Sequence, residues 1–399
     1  MRALIALAVA ALVTVGASPQ EAPKVVVHEW GTFTSVAGSD GASLDWRPLA
    51  GPSDLPSFVY DIGDAPKGLR HGQAIEKCTH KEPNQCKGCT EGTIRMETPV
   101  LYFYSDRETT MSVKVDFPKG KITEWYPAAR CVGQGIDWGQ IRILKTSKDD
   151  PKSETAIEDS HYYAARETDS DLVRVCAGKN TELEKFLFYR GVGTFDLPIS
   201  VSLEEGGKKI RLRNRGEDPI RPVIVFENRG GKKAYGIYAL VGEKRDIQVA
   251  RPLDDGSISY ADLDVEGALL KHLLETGLYE KEAKAMLKTW RDSWFEPGLR
   301  VFYIVPKRAT ANVLPLALDP APAELVRVLV GRSEIITPEM EAAIGVLAAK
   351  LGDESFENRE SAMKSLAAYG RFAEPVLKKI LATTNDAEVK VRIQRLIGG

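Results

Sequence analysis

The residues best suited to chemistry are three cysteines and one histidine that fall within twelve consecutive positions. They follow the pattern Cys-x-His-x5-Cys-x2-Cys, with a glycine between the last two cysteines. Cysteine thiolate and histidine imidazole are the usual ligands of zinc, and four of them close a tetrahedral structural site. Glycine permits the tight turn that would aim two neighbouring sulfurs at one ion. The pattern predicts a structural zinc site whose ligands are Cys78, His80, Cys86 and Cys89.

A disulfide-bonded loop is the alternative to zinc, because the chain has five cysteines and an odd number leaves one sulfur over. Pairing Cys131 with Cys176, each beside a predicted strand, would leave three thiols and His80 for the metal. Joining Cys78 to a second cysteine of the same loop would staple that loop instead. An oxidising compartment favours the disulfide. The sequence leaves both arrangements open.

The start of the chain predicts the compartment. Residues 1–2 carry a positive charge, residues 3–15 are apolar, and residues 15–17 are small, as in a signal-peptidase site. Roughly 13 apolar residues span ~20 Å of helix, which is short of the ~30 Å hydrocarbon layer, and no later run reaches ~18 apolar residues. We therefore predict a signal peptide at 1–17 and an exported, periplasmic or extracellular protein with no membrane span in the mature chain.

His28 and Glu29 open the first predicted strand. Adjacent side chains of a strand point to opposite faces, so these two residues cannot grip one proton or one metal together. We expect a hydrogen-bonded structural histidine, since a general base would need a partner from elsewhere in the fold.

An exported hydrolase remains an alternative, with a metal or a pair of carboxylates as its site. The sequence selects no pair, because the separation of two carboxyl groups decides their use in glycoside hydrolysis. The known nucleophile, metalloprotease, phosphate-loop and dinucleotide motifs are absent from the sequence. Gly191-Val192-Gly193 lacks a third glycine and a following helix, so we predict a turn there. The candidate carboxylates are Glu29, Asp45, Glu97, Asp106, Glu124 and Asp137.

Carbohydrate binding is a further alternative, because large aromatic side chains can stack on sugar rings. The same side chains more often fill the core of a protein. The candidate platforms are Trp30, Trp46, Trp125 and Trp138.

Charge argues against a nucleic-acid partner. The 54 basic side chains nearly cancel the 56 acidic ones, and the formal net charge is −2, so the chain has no overall basic field. Its 399 residues predict two or three domains at roughly 100–200 residues each.

Short runs with apolar residues at every second position indicate antiparallel strands from Lys24 onward. In Met111–Phe117, for example, four apolar side chains share one face. Many such strands separated by turn residues are typical of a sandwich. We predict a fold that is mainly β with α: an antiparallel β-sandwich-like core at 24–335.

Helical periodicity begins within that core domain and returns after it. Residues 262–292 predict a helical hairpin with Gly277 at its turn. Thr337 and Pro338 are a helix cap and a first helical residue. Residues 337–399 predict a helical tail. The four predicted tail helices span 337–351, 355–369, 372–383 and 386–397.

The tail segment from Leu351 to Ile397 resembles one repeat unit of the HEAT type. That resemblance implies a scaffold for protein contacts. A single unit cannot bury its own apolar face, so it must pack on the core or on a partner.

Four phrases resemble an uncharacterised family of secreted bacterial proteins of planctomycete type. The resemblance implies export and this architecture, and it carries no activity. The phrases are VHEWGTFTSV (27–36), METPVLYFYS (96–105), EWYPAAR (124–130) and KTWRDSWFEPGLRVFYIVP (288–306).

Together these observations favour a secreted or periplasmic, non-catalytic binding or scaffold protein that contacts a protein partner through its HEAT-like tail. The exported hydrolase and the carbohydrate-binding protein are the alternatives. Structural zinc is the one cofactor that the residues suggest, and glycan is the second class of partner.

Overall fold

The computed structural model describes residues 21–49, 55–62, 90–145, 160–177, 180–240, 246–255 and 264–398. Strands make up 42% and helices 31% of the described residues. The predicted fold class, mainly β with α and with helices at the C-terminal end, is therefore confirmed. Among the described residues, no helix is both long enough and apolar enough to cross a membrane.

The strands form three sheets, of nine, six and three strands. The nine-stranded sheet has the order β14-β13-β16-β18-β1-β3-β10-β5-β2, so the first long strand lies at its centre. Numbered along the chain, the strands are β1 (Val25–Ala37), β2 (Tyr60–Asp61), β3 (Ile94–Ser105), β4 (Thr109–Asp116), β5 (Gly120–Tyr126), β6 (Cys131–Gly133), β7 (Gly135–Leu144), β8 (Leu172–Ala177), β9 (Asn180–Glu184), β10 (Leu187–Gly193), β11 (Ile199–Glu204), β12 (Lys209–Asn214), β13 (Ile220–Arg229), β14 (Lys232–Leu240), β15 (Asp246–Ala250), β16 (Gly298–Ile304), β17 (Leu316–Asp319) and β18 (Glu324–Ile335).

One face of the nine-stranded sheet packs against the two smaller sheets and gives a sandwich-like core. Alternation creates that face. On β4, Met111, Val113 and Val115 are buried, whereas Lys114 between them is exposed. The pairs between these strands are antiparallel except the central one, where β1 runs parallel to β18. Periodicity within a strand cannot reveal such a long-range parallel pair.

The other face of the nine-stranded sheet lies under the predicted helical hairpin. Gly277 joins the two helices with a φ of 102°, a left-handed conformation that favours glycine. The second helix of the hairpin buries an apolar stripe that includes Met286, Trp290 and Trp294. The α-helices in the described part of the chain are α1 (Val265–Glu275), α2 (Glu280–Trp294), α3 (Lys307–Val313), α4 (Pro338–Ala349), α5 (Phe356–Ala368), α6 (Ala373–Thr383) and α7 (Ala387–Gly398).

The C-terminal helices α4 to α7 pack on the β core. Thr337 caps α4 by accepting a hydrogen bond from the Met340 amide, as its sequence predicts. A hydrophobic cluster between the tail helices and the core includes Val36, Trp46 and Ile336. The helical tail thus meets the requirement that it bury its apolar face, and its membership of the HEAT class stays a prediction.

The turn predicted at Gly191-Val192-Gly193 is wrong, because these residues end strand β10. A Cβ atom at Gly191 would lie 2.5 Å from the Lys121 carbonyl oxygen, and one at Gly193 would lie 2.8 Å from the Phe117 ring. The two glycines therefore allow β10 to lie close to the backbone of β5 and to the Phe117 ring, and they do not reverse the direction of the chain.

A buried group of charges, here called the clamp, fixes the tail to the core. It comprises Glu334 on β18, Arg300, Arg332, Glu296 and the tail residue Arg371. The Glu334 carboxylate accepts hydrogen bonds from Arg332 and from Arg371. Arg371 also donates to Glu296, in the turn after α2. One carboxylate on the central sheet thereby holds the tail in place.

Charge sets the protonation of this clamp. Burial by itself raises the pKa of the Glu334 carboxyl, but the positive charges of Arg332, Arg371 and Arg300 outweigh it and lower that pKa to about 2. Burial, with the repulsion of the other two guanidinium groups, lowers the pKa of Arg300 to about 10. Glu334 therefore stays ionised far below neutral pH.

Replacing the central carboxylate should make stability depend less on pH. The folded pKa of Glu334 lies below its ordinary value of 4.5, so its contribution is complete above that value and is lost as the pH falls to about 2. We expect Glu334→Gln to lower the free energy of unfolding at pH 7 by about 3 kcal/mol, and the difference from wild type to shrink across that window.

Urea denaturation at a series of pH values measures this difference. Glu388→Gln is the control, because Glu388 forms its ion pairs at the surface and should contribute at most about 1 kcal/mol. A wild-type and a Glu334→Gln protein with parallel stability profiles below pH 4.5 would contradict the clamp.

Candidate functional site

The predicted zinc ligands Cys78, His80, Cys86 and Cys89 lie outside the described residues. Within the described ranges, no group of three histidine, cysteine, aspartate or glutamate side chains could hold a metal ion. The structural zinc site stays a prediction.

The predicted disulfide bond between Cys131 and Cys176 is wrong. Cys131 is disulfide-bonded, whereas Cys176 is free and exposed. The bonding partner of Cys131 therefore lies outside the part of the chain that the structure describes.

Strand register explains why these two cysteines cannot meet. Cys131 lies opposite Asp137 on β7, and Arg174 lies opposite Arg142 on the same strand. Continuing the antiparallel register by two residues places Cys176 opposite Gln140. Gln140 lies three residues from Asp137, which is ~10 Å along β7. A disulfide needs Cα atoms ~4.4–6.8 Å apart.

His28 and Glu29 point to opposite faces of the sheet, as their adjacency predicts. Glu29 faces the sandwich side, where it accepts hydrogen bonds from the Tyr189 hydroxyl and, at 2.5 Å, from Arg327 Nε. His28 faces the helical hairpin. The two residues therefore belong to separate networks.

A buried carboxylate gathers the groups around His28. Glu282 on α2 lies 2.8 Å from His28 Nδ1 through its Oε2 atom and accepts a hydrogen bond from the Tyr104 hydroxyl at 2.7 Å. It also accepts one from the Tyr279 backbone amide at 2.8 Å. These four residues are called the Glu282 centre below. They are brought together by β1, β3 and the N-terminus of α2.

Helix capping explains the position of Glu282. Tyr279 precedes the first residue of α2, and Glu282 occupies the third helical position, from which its side chain reaches back to the Tyr279 amide. This exchange satisfies a backbone donor that the helix leaves unpaired. The capping pattern was the local signal for Glu282. Its partner His28 lies 254 positions away, and no local pattern connects them.

The Glu282 carboxylate determines which nitrogen of His28 carries hydrogen. In a neutral imidazole the nitrogen that faces a carboxylate is the donor, so a neutral His28 ring donates from Nδ1 to Glu282 and holds its lone pair on Nε2. Burial, reinforced by the negative charge of Glu282, raises the pKa of Tyr104 far above its ordinary value. Tyr104 therefore remains a protonated donor to Glu282. The arrangement can orient an imidazole and leave Nε2 as a proton acceptor.

Four of the six carboxylates proposed for a hydrolase each contact a different side chain. Glu29 pairs with Arg327 at 2.5 Å, and Asp137 pairs with Arg130. Glu97 lies 3.4 Å from Arg95 and accepts a hydrogen bond from Thr34 at 2.8 Å. Glu124 accepts from the neighbouring Thr123. Sequence reasoning did not include Glu282, the buried carboxylate that meets His28.

Three of the four tryptophans proposed to stack on sugars are core residues. Trp30, Trp46 and Trp138 are at most 3% exposed. Trp125 is half-buried, and its ring lies 5.9 Å from the Tyr60 ring at an angle of 17°. Trp125 is thus the member of the set whose position suits a sugar platform.

Comparisons with known proteins find no matching family model and no matching curated protein. Among solved structures, one similar chain is the Fcho1 Mu homology domain of Danio rerio with bound Eps15 peptide. It shares 7% sequence identity, over 78% of this chain and 97% of that one, with a TM-score of 0.28. A likeness of this size carries no argument about function.

Peptide mapping should place Cys131 in a cross-linked peptide. Since Cys176 is free, the only cysteines left for Cys131 are those of the 78–89 segment. Non-reducing digestion with iodoacetamide present from the start should alkylate Cys176 and recover Cys131 joined to a peptide from that segment. Recovery of a Cys131–Cys176 peptide would contradict this assignment.

Removing the Glu282 carboxylate should destabilise the fold. Glu282→Ala leaves His28 Nδ1, the Tyr104 hydroxyl and a backbone amide without their acceptor, so we expect the free energy of unfolding to fall by about 3 kcal/mol or more.

Urea denaturation measures this loss in the free energy of unfolding. An exposed histidine–glutamate pair serves as the control. His272 Nδ1 lies 2.9 Å from Glu275 Oε2, and the Glu275 side chain is 56% exposed. Glu275→Ala should cost less than about 1 kcal/mol. Equal losses in the two variants would show that the Glu282 centre contributes no more than an exposed pair.

Proposed function

We propose that the protein is an exported, non-catalytic binding protein, located in the periplasm or outside the cell, whose HEAT-like helical tail contacts a protein partner. The observation that carries the proposal is the exposure of large apolar side chains on the tail. Phe356 and Val346 are 62% and 61% exposed, more than any other large apolar side chain among the described residues.

The tail is held rigidly enough to present a surface. Arg371 joins it to the core through the clamp, and Arg47 of the core lies 3.1 Å from Glu374 of α6, with both side chains buried. Breaking a buried ion pair leaves a buried charge without its partner, which opposes separation of the two elements that the pair joins. A partner bound to the tail would therefore be held at a defined position relative to the sandwich.

The outer helices of the tail are also tied to each other. Arg392 on α7 pairs with Glu360 on α5 at 2.7 Å, and Arg359 on α5 lies 3.5 Å from Glu388 on α7. These contacts set α5 and α7 side by side. Phe356 stands at the start of α5, where the Arg359 guanidinium lies over its ring at 5.7 Å.

An aromatic side chain at this position suits a protein interface. Protein interfaces are enriched in aromatic residues and arginine, and these residues often dominate the binding energy. Phe356 with Arg359 supplies such a pair on a preformed helix. Val391, which is 43% exposed on the neighbouring α7, adds apolar surface to the same pair of helices.

Site-specific photo-crosslinking tests the proposal in cells that produce and export the protein. Benzoylphenylalanine replaces Phe356 in one variant and Ile237 in the other. Ile237 is the matched control, because it is 48% exposed but belongs to β14 of the core. We expect a discrete adduct with a second protein from position 356 and none from position 237.

The partner identified in this way is then purified for a binding measurement. Phe356→Glu should weaken binding by at least about tenfold, the loss of an interface residue worth more than ~1.4 kcal/mol, while Ile237→Glu leaves it unchanged. No adduct from position 356, or the same adduct from both positions, would overturn the proposal.

A further inference from the structure

We propose that His28 is a gated proton-acceptor site, where Nε2 receives a hydrogen bond from a small neutral hydroxyl-bearing ligand when the Tyr279 side chain moves aside. The inference is independent of the tail. It concerns the N-terminal end of α2, whereas the tail contacts the turn after the C-terminal end of α2.

The first step is the orientation of the ring. Glu282 takes the Nδ1 hydrogen at 2.8 Å, and the same carboxylate is held by Tyr104 and by the Tyr279 amide. Three donors fix the carboxylate, and the carboxylate fixes the imidazole. The lone pair on Nε2 therefore has one defined direction.

The second step is that Nε2 has no hydrogen-bond partner among the described residues, although the side chain is only 1% exposed. Leaving a buried polar atom without a partner is unfavourable. A ligand that donates a hydrogen bond to Nε2 recovers that free energy. The neighbours from each adjacent element are Tyr104 of β3, Tyr279 and Glu282 of the helical hairpin, and Val326, which lies opposite His28 on β18.

The third step is the cover over the ring. The Tyr279 ring lies 4.4 Å from the His28 ring, tilted by 45°, and Tyr279 is 46% exposed. The backbone amide of Tyr279 is anchored by its hydrogen bond to Glu282, whereas the Tyr279 ring is held by contacts with His28 and Tyr104. Rotation of this one side chain would open a route to His28 without disturbing α2.

The surroundings select the class of ligand. Aromatic rings and the Val326 side chain form the walls, and the Glu282 carboxylate is already engaged by three donors. A charged ligand would be desolvated there without a counter-charge of its own. A small alcohol can donate to Nε2 and place its carbon atoms against the rings.

The tautomer is tested on the full-length protein labelled with nitrogen-15 in histidine. Long-range proton–nitrogen spectra should show a hydrogen on Nδ1 of His28 and none on Nε2. Methanol then serves as the probe, and it should shift the His28 Nε2 resonance more in Tyr279→Ala than in wild type. A hydrogen on Nε2, or no shift in either protein, would overturn the proposal.

Diethyl pyrocarbonate tests the gate separately. Nε2 attacks a carbonyl carbon of the reagent, the carbethoxy group stays on the nitrogen, and the ethyl carbonate that leaves breaks down to ethanol and carbon dioxide. His272 is the internal standard, because it makes the same Nδ1 contact with a glutamate while 17% exposed.

In wild type, His28 should react at least about tenfold more slowly than His272, the difference expected for a site that opens only locally. Tyr279→Ala should raise the His28 rate several-fold, and Tyr279→Phe, which keeps the ring, should leave it unchanged. The His272 rate should be the same in all three proteins, which excludes general unfolding. A His28 rate that Tyr279→Ala does not change would overturn the gate.

Discussion

The structure depends on a central strand that is buried on both faces. β1 lies between β18 and β3 in the nine-stranded sheet, and all but one of its thirteen residues are buried. It nevertheless carries polar side chains on both sides. A buried polar group must find a partner inside the protein. The polar side chains on each face of β1 therefore constrain the position of the elements that pack on that face.

The helical hairpin illustrates this constraint. The middle of α2 meets the sheet through apolar contacts around Met286 and Trp290, which by themselves tolerate small shifts. Polar contacts then fix both ends: Glu282 binds His28 at the start of α2, and Ser293 accepts from Arg332 near its end. Hydrophobic burial brings the helix to the sheet, and the directional contacts set its position along β1.

Individual strands and helices could be predicted from the sequence, because the pattern that indicates each one lies within a few consecutive residues. The alternation in Met111–Phe117 predicted β4, and the cap at Thr337 predicted the start of α4. Sequence reasoning also recognised that His28 and Glu29 must face opposite sides. The proposed zinc ligands lie outside the described residues, and a disulfide bond from Cys131 to one of their three cysteines would leave two thiols and His80 for a metal.

What the sequence could not predict depends on distances between strands that are far apart along the chain. The Cys131–Cys176 pairing was one arrangement that the sequence allowed, because each cysteine lies beside a predicted strand, yet the register separates them along β7. The parallel pairing of β1 with β18 and the meeting of His28 with Glu282 have the same origin. Each follows from sheet order, which periodicity does not encode.

The two ends of α2 therefore have different physical consequences. At the C-terminal end, arginines surround Glu334, and each guanidinium also donates to a carboxylate or to a carbonyl of the turn after α2. That end joins the tail to the sheet through Arg371. At the N-terminal end, the Glu282 carboxylate accepts three hydrogen bonds, and Nε2 of the imidazole that it orients has no hydrogen-bond partner within the described ranges. One end of the helix therefore joins parts of the fold, and the other end orients the imidazole of His28.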